Sequence, residues 1–182
     1  VSPDREEAQV TADLPRPRES GRYRLALVCL GNICRSPMAH VVLEAHLVEA
    51  GLGDRVEVRS AGTAGWHVGK PMDRRAAATL RGADHDPSRH RAQQFDASWF
   101  AEVDVVLAMD SANLADLAEL LPADVEPERL GRFRDYNPAA SDGDRDVPDP
   151  YYGDDDGFAL VLSMVERTCA ALTDQVAARL GG

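Results

Sequence analysis

The residues best suited to chemistry are crowded into positions 25–40, Leu-Ala-Leu-Val-Cys-Leu-Gly-Asn-Ile-Cys-Arg-Ser-Pro-Met-Ala-His. An apolar run ends on Cys29, five residues intervene before Arg35, and Ser36-Pro37 leads into a helix-like stretch. A strand that stops at Cys29 and a helix that starts near Pro37 leave a short loop, Leu30, Gly31, Asn32, Ile33 and Cys34, between them. Free N–H groups of such a loop converge at the helix N-terminus and hold an anion there, helped by the helix dipole. Gly31 permits a positive φ if the loop needs one. Arg35 adds a planar fork that grips two phosphate oxygens. A thiol at the base of that field ionises below the free value of about 8.5, so the pattern predicts a Cys29 thiolate aimed at phosphorus. The Ser36 hydroxyl is placed to hydrogen-bond that sulfur and stabilise it as a leaving group. A cysteine at a strand end is by itself only a small apolar residue. It is the flanks, Gly31 and Asn32 inside the loop and Ser-Pro after it, that favour a nucleophile in a phosphate cradle.

The rest of the chain must position that loop. Apolar patterning predicts strands at 24–30, 55–60, 104–109 and 129–133, and helices at 38–50, 71–80, 111–121 and 158–180. Strands separated by helices imply an α/β fold: a four-stranded parallel sheet with helices on both faces. The phosphate-binding loop then follows the first strand, beyond its carboxyl end, where such sheets bind ligands. Residues 1–21 are polar, hold three prolines and show no apolar period, so they read as a mobile tail ahead of one domain at 22–182.

Composition excludes several classes. The formal charge of −11 disfavours nucleic-acid binding. No apolar stretch approaches a membrane span, and no apolar signal region opens the chain. Three cysteines make no disulfide framework, so a reducing cytoplasm is the simplest setting. His40, His46, His67 and His90 lack metal-ligand spacing and read as surface or packing residues, and no cofactor-binding motif is present.

Four segments carry a resemblance to a known family: Val28-Cys-Leu-Gly-Asn-Ile-Cys-Arg-Ser-Pro37, Ser60-Ala-Gly-Thr-Ala-Gly-Trp-His-Val-Gly69, Ala108-Met-Asp-Ser-Ala-Asn113 and Val147-Pro-Asp-Pro-Tyr-Tyr-Gly153. Over nearly all of residues 22–180 the chain resembles the low-molecular-weight protein tyrosine phosphatases, in particular bacterial members that share the Trp and the Tyr pair with eukaryotic relatives. The resemblance implies hydrolysis of phosphotyrosine in a protein or peptide through a phosphocysteine on Cys29, with Arg35 stabilising the transition state and no metal or cofactor. It makes Asp149 the acid that protonates the leaving phenolate and then the base that activates water. Pro150 holds Asp149 extended, and Asp146 is the local competitor. Trp66, Tyr151 and Tyr152 become aromatic walls deep enough to leave phosphoserine short of Cys29. The resemblance also implies that Tyr151 and Tyr152 can themselves be sites for a tyrosine kinase.

Asn32, with Ser36 and Ser60, resembles the network that holds the family's loop. The supporting His of that network falls where this chain reads Arg-Gly-Ala-Asp-His-Asp (81–86), so either His85 substitutes or the contact is lost. Asp110 either orients Arg35 through an ion pair or caps the next helix near Ser111. Cys34 either shields Cys29 as a reversible disulfide or packs the loop, and Cys169 reads as core. An arsenate reductase on the same scaffold needs a further cysteine pair some seventy residues after the nucleophile, and residues 97–113 hold none. A non-catalytic phosphotyrosine binder would have no use for Cys29, Arg35 and Asp149 together.

Overall fold

A computed structural model describes residues 11–181. Four strands form the sheet: β1 Tyr23–Cys29, β2 Val56–Gly62, β3 Val105–Ala108 and β4 Leu130–Arg132. All pair in parallel, in the order β2-β1-β3-β4. The helices are α1 Arg35–Glu49, α2 Arg74–Gly82, α3 Trp99–Glu102, α4 Ser111–Leu120 and α5 Asp155–Arg179. Side chains alternate along a strand, and β1 uses both faces. Leu25 and Leu27 pack with Met38 and Leu43 of α1 and Val165 and Leu172 of α5. Ala26 and Val28 pack with Phe100 of α3 and Leu117 of α4. Each fully buried leucine contributes about 1.5–3 kcal/mol, and two covered faces explain the continuous apolar run that was read as a strand.

The chain leaves β1 for β2 on one side and returns to β3 on the other. The carboxyl ends of β1 and β3 therefore border the crevice where strand order reverses. Met109 N–H donates to the Val28 carbonyl at 2.9 Å, which brings Asp110 beside the end of β1.

Several expected boundaries shift. α1 starts at Arg35, two residues before Pro37, which sits in the first turn where its missing N–H is equally harmless. α2 starts after Asp73, whose carboxylate caps it by accepting from Arg75 and Ala76 N–H. The cap of α4 is Asp110 and not Ser111. α5 begins three residues early, with Asp155 and Asp156 favourably placed in its first turn. The four-residue α3 was not foreseen, being too short to show a period.

The expected tail is corrected over residues 11–21; residues 1–10 lie outside the described residues. Leu14 is fully buried. Its N–H donates to Gln175 Oε1 at 2.8 Å, and its carbonyl accepts from Arg179 Nε at 2.8 Å. Tyr23 Oη donates to the Pro15 carbonyl at 2.9 Å. The buried Asp104 carboxylate accepts the N–H groups of Arg18 and Arg24, each at 2.6 Å. Arg18 itself donates to the Phe100 and Val103 carbonyls. The segment lacks periodicity because α5, β1 and the residues before β3 satisfy its backbone, and a single leucine supplies the apolar anchor. Leu14→Ala should remove about 2–5 kcal/mol, read as a fall in thermal midpoint of roughly 2–4 °C per kcal/mol. An unchanged midpoint would mean that the segment is not docked.

Candidate active site

The loop after β1 is shaped by its carbonyls. The Cys29 and Leu30 carbonyls accept from Thr63 and Ala64 N–H at 2.9 and 3.0 Å. The Asn32 carbonyl accepts from His90 Nε2 at 2.7 Å. The Ile33 and Cys34 carbonyls accept from Asp73 and Met38 N–H at 2.9 and 3.1 Å. In a trans peptide the N–H points opposite its carbonyl, so a loop whose carbonyls are drawn outward presents N–H groups to the cleft. α1 has no side-chain cap, which leaves its first N–H groups at the same place. The left-handed residue is Asn32, at φ 56°, and not Gly31. Asn tolerates that region better than other side chains. Gly62, paired with Cys29 across the sheet, is required sterically: an added Cβ would sit 2.6 Å from the Leu30 carbonyl oxygen.

The buried Cys29 Sγ lies 2.9 Å from Ser36 Oγ and accepts the Asn32 N–H at 3.3 Å. Asn32 Nδ2 donates to Ser36 Oγ at 2.8 Å, so the hydroxyl proton must turn elsewhere. Its two acceptors are Sγ and the Ala61 carbonyl at 3.4 Å, of which Sγ is the nearer.

Arg35 is 2 % exposed. Its Nη1 donates to Asp110 Oδ2 at 2.6 Å and to the Val147 carbonyl at 3.0 Å. Burial alone would lower its pKa; the charges of Cys29 and Asp110 outweigh that and raise it, so it stays a cation. The two readings of Asp110 both hold, because Oδ1 caps α4 through Asn113 N–H at 2.7 Å while Oδ2 takes Arg35.

Asp149 reaches the same cleft. Its Oδ2 is 3.5 Å from Arg35 Nη2, and its Oδ1 accepts the Tyr151 N–H at 3.1 Å. Asp146 is turned away, accepting from Ser111 Oγ at 2.8 Å. Trp66, His67, Tyr151 and Tyr152 complete the lining. Trp66 is 71 % exposed and Tyr152 92 %, so these rings stand in solvent as a rim and are not core. Tyr151 and Tyr152 meet edge-on, with centroids 4.9 Å apart. The Cys34 thiol, also lining the cleft, is pushed far up by burial, and Cys29, Cys34 and Cys169 are all free.

Three supports differ from expectation. His85 does not reach the loop: it pairs with Glu166 Oε1 at 3.2 Å, while Glu166 Oε2 holds His46 at 2.9 Å. Burial would raise the Glu166 carboxyl, but the two imidazoles outweigh it and hold it below its usual value. The histidine on the loop is His90, whose pKa burial lowers and which was expected to be a surface or packing residue. The Ser60 hydroxyl does not touch the loop either. It bonds His40 Nδ1 at 3.1 Å, while the Ser60 carbonyl accepts from Gln93 Nε2, and Gln93 N–H donates to Asn32 Oδ1 at 3.0 Å. His90, Gln93 and Gly62 escaped the sequence reading as individual supports. His90 and Gln93 lie in residues 83–98, which carry no periodic pattern, while Gly62 lay unremarked inside the quoted Ser60–Gly69 segment.

Among the described residues, no three His, Cys, Asp or Glu side chains are grouped to hold a metal ion, and no helix is long and apolar enough to cross a membrane.

The chain has known relatives. Residues 24–180 match the family model described as low molecular weight phosphotyrosine protein phosphatase. The low molecular weight protein-tyrosine-phosphatase of Streptomyces coelicolor is 47 % identical over 161 residues, covering 88 % of this chain and 97 % of its own. Low molecular weight protein-tyrosine phosphatase A of Mycobacterium bovis is 41 % identical over 161 residues, with 88 % and 96 % covered. Among solved structures, a protein tyrosine phosphatase from Entamoeba histolytica with Hepes in its active site superposes with a TM-score of 0.81 at 29 % identity, covering 86 % of this chain and 97 % of that one.

Proposed function

The chain belongs to the low molecular weight phosphotyrosine protein phosphatase family, and on that premise we propose that Cys29 is the nucleophile, Arg35 the anion clamp and Asp149 the acid and base. Sγ attacks phosphorus while the loop N–H groups and Arg35 hold the non-bridging oxygens. The P–O bond to the tyrosine ring breaks, and Asp149 gives its proton to the departing phenolate, whose conjugate acid has a pKa of about 10. The ionised Asp149 then takes a proton from water as that water attacks the phosphocysteine. The thiolate leaves, accepting the Ser36 hydroxyl proton as a hydrogen bond, and inorganic phosphate remains.

The observation that carries this reading is convergence: Cys29, the Arg35 guanidinium and the Asp149 carboxylate line one cleft rimmed by Trp66, Tyr151 and Tyr152. The rim favours an aryl phosphate, since an aromatic ring stacks on it. A shorter phosphoserine loses that contact before its phosphorus meets Sγ. A reducing cytoplasm suits the three free thiols. A tyrosine kinase acting on Tyr151 and Tyr152 belongs to the same reading, supported by the exposure of Tyr152.

Rapid acid quenching of Asp149→Ala with labelled nitrophenyl phosphate tests the intermediate. Label is expected as an alkali-stable, iodine-sensitive adduct on the peptide that holds Cys29. A burst of nitrophenol with no labelled peptide would sink the covalent route.

A further inference from the structure

We propose that Arg75 is a positioning residue that ties the turn after Asp149 to the phosphate loop, and so holds the acid at the leaving oxygen. The proposal rests on Asp149 being that acid.

Asp149 lies between two anchors of different kinds. Upstream, Val147 is fully buried; its N–H donates to the Met109 carbonyl at 2.7 Å, and its carbonyl accepts from Arg35. That anchor belongs to the end of the sheet. Downstream, the chain turns through Pro150, Tyr151, Tyr152 and Gly153, closed by the Gly153 N–H on the Pro150 carbonyl at 3.1 Å. Pro150 is buried, but the two tyrosines that follow it are exposed, and the next fully buried side chain is Phe158. Beyond that burial, the turn's Tyr151 and Gly153 carbonyls are held from another element by one guanidinium. Arg75 Nη2 donates to the Tyr151 carbonyl at 2.9 Å, and Nη1 donates to the Gly153 carbonyl at 3.2 Å. Two donors in one rigid plane, bonded to carbonyls two residues apart, restrict the turn's orientation as well as its distance.

The guanidinium is itself held. Asp73 accepts Arg75 Nε at 3.2 Å on Oδ1 and Nη2 at 3.1 Å on Oδ2. The Arg75 guanidinium carbon lies 4.7 Å from the Phe158 ring centroid and 5.6 Å from that of Tyr151. The Asp73 N–H donates to the Ile33 carbonyl of the phosphate loop at 2.9 Å. One continuous path therefore runs from the Ile33 carbonyl through Asp73 and Arg75 to the Tyr151 and Gly153 carbonyls. Removing the guanidinium cuts this path at the acid loop and leaves the Asp73 backbone bond to Ile33 in place. The cradle should keep its phosphate while Asp149 loses its fixed place, and only the protonation of the leaving group should suffer.

The test compares kcat/KM for aryl phosphates whose leaving phenols range from nitrophenol to an unactivated, tyrosine-like phenol. Arg75→Gln is expected to lose about ten-fold on the tyrosine-like ester and less than about two-fold on the nitrophenyl ester. Arg75→Lys, charged but without the fork, should fall between wild type and Arg75→Gln. Inhibition by inorganic phosphate should stay within about two-fold of wild type. In an Asp149→Ala background, Arg75→Gln should add nothing, because both changes remove the same function. An equal loss on every ester, a weakened phosphate affinity, or additive losses in the double variant would each overturn the proposal. If Asp149→Ala steepens the leaving-group dependence and Arg75→Gln does not, the coupling through Arg75 alone is wrong. If Asp149→Ala itself shows no such steepening, the acid assignment and this inference fall together.

Discussion

Cys29→Ser is expected to lower kcat/KM on phenyl phosphate by at least about 10⁴-fold, while inorganic phosphate still inhibits within about three-fold of its wild-type constant. The asymmetry follows from which atoms do which work. In the proposed mechanism phosphate is held by loop N–H groups and Arg35, and neither depends on sulfur. The loop carbonyls keep their partners at Thr63, Ala64, His90, Asp73 and Met38, and Asp110 keeps the Arg35 guanidinium in place. Bond formation to phosphorus, by contrast, needs a nucleophile that is ionised near neutral pH. A serine hydroxyl is a far weaker acid than a thiol, and the Asn32 N–H and Ser36 hydroxyl that surround Sγ cannot make up that difference. Steady-state kinetics with phosphate as competitive inhibitor measures both halves. Retention of more than about 1 % of the activity would show that Cys29 is not the nucleophile. A loss of phosphate affinity would show that sulfur belongs to the cradle.

Asp149→Ala is expected to reduce kcat/KM on phenyl phosphate by about 10²–10³-fold and on nitrophenyl phosphate by only about ten-fold. Nitrophenolate departs readily without a proton, whereas an unactivated phenolate does not. A group acting as acid must therefore show its value in proportion to the basicity of what it protonates. A group that merely fixed Arg35 would cost every ester alike, and the 3.5 Å approach of Asp149 Oδ2 to Arg35 Nη2 makes that comparison necessary. Asp146→Ala is the control. Its carboxylate accepts from Ser111 and its carbonyl from Arg134 Nη1, so it should leave the leaving-group dependence unchanged. The same steepening in Asp146→Ala would transfer the acid role to that residue.

Much of the site was legible because its parts are local. The proposed nucleophile, its loop and the arginine occupy consecutive positions; the strand before them follows from a continuous apolar run and the helix after them from an apolar period of 3.6. The parallel order of elements then places the loop at the carboxyl end of the first strand. Where choices lay between residues of one type, local pattern did not decide. His85 and His90 are both polar-loop histidines in sequence, yet one pairs with Glu166 of α5 and the other holds the Asn32 carbonyl. The Ser60 carbonyl, not its hydroxyl, leads to Asn32, through Gln93. Asp110 resolves an either-or by using one oxygen for each partner.

The sequence by itself determined the Cys29–Arg35 loop proposed to carry the reaction, the alternation of strand and helix, and the sheet end at which that loop lies, because each rests on residues a few positions apart. Only the tertiary structure decided what lies across long separations. Leu14 and Gln175 are 161 residues apart and bonded, which turned residues 11–21 from an expected tail into part of the packed domain. Arg75 and Tyr151 are 76 apart and bonded, which places a guanidinium from α2 under the loop of the acid. A side chain's type states what it can bond. Which partner it meets is settled by the docking of elements, and that depends on the whole core at once.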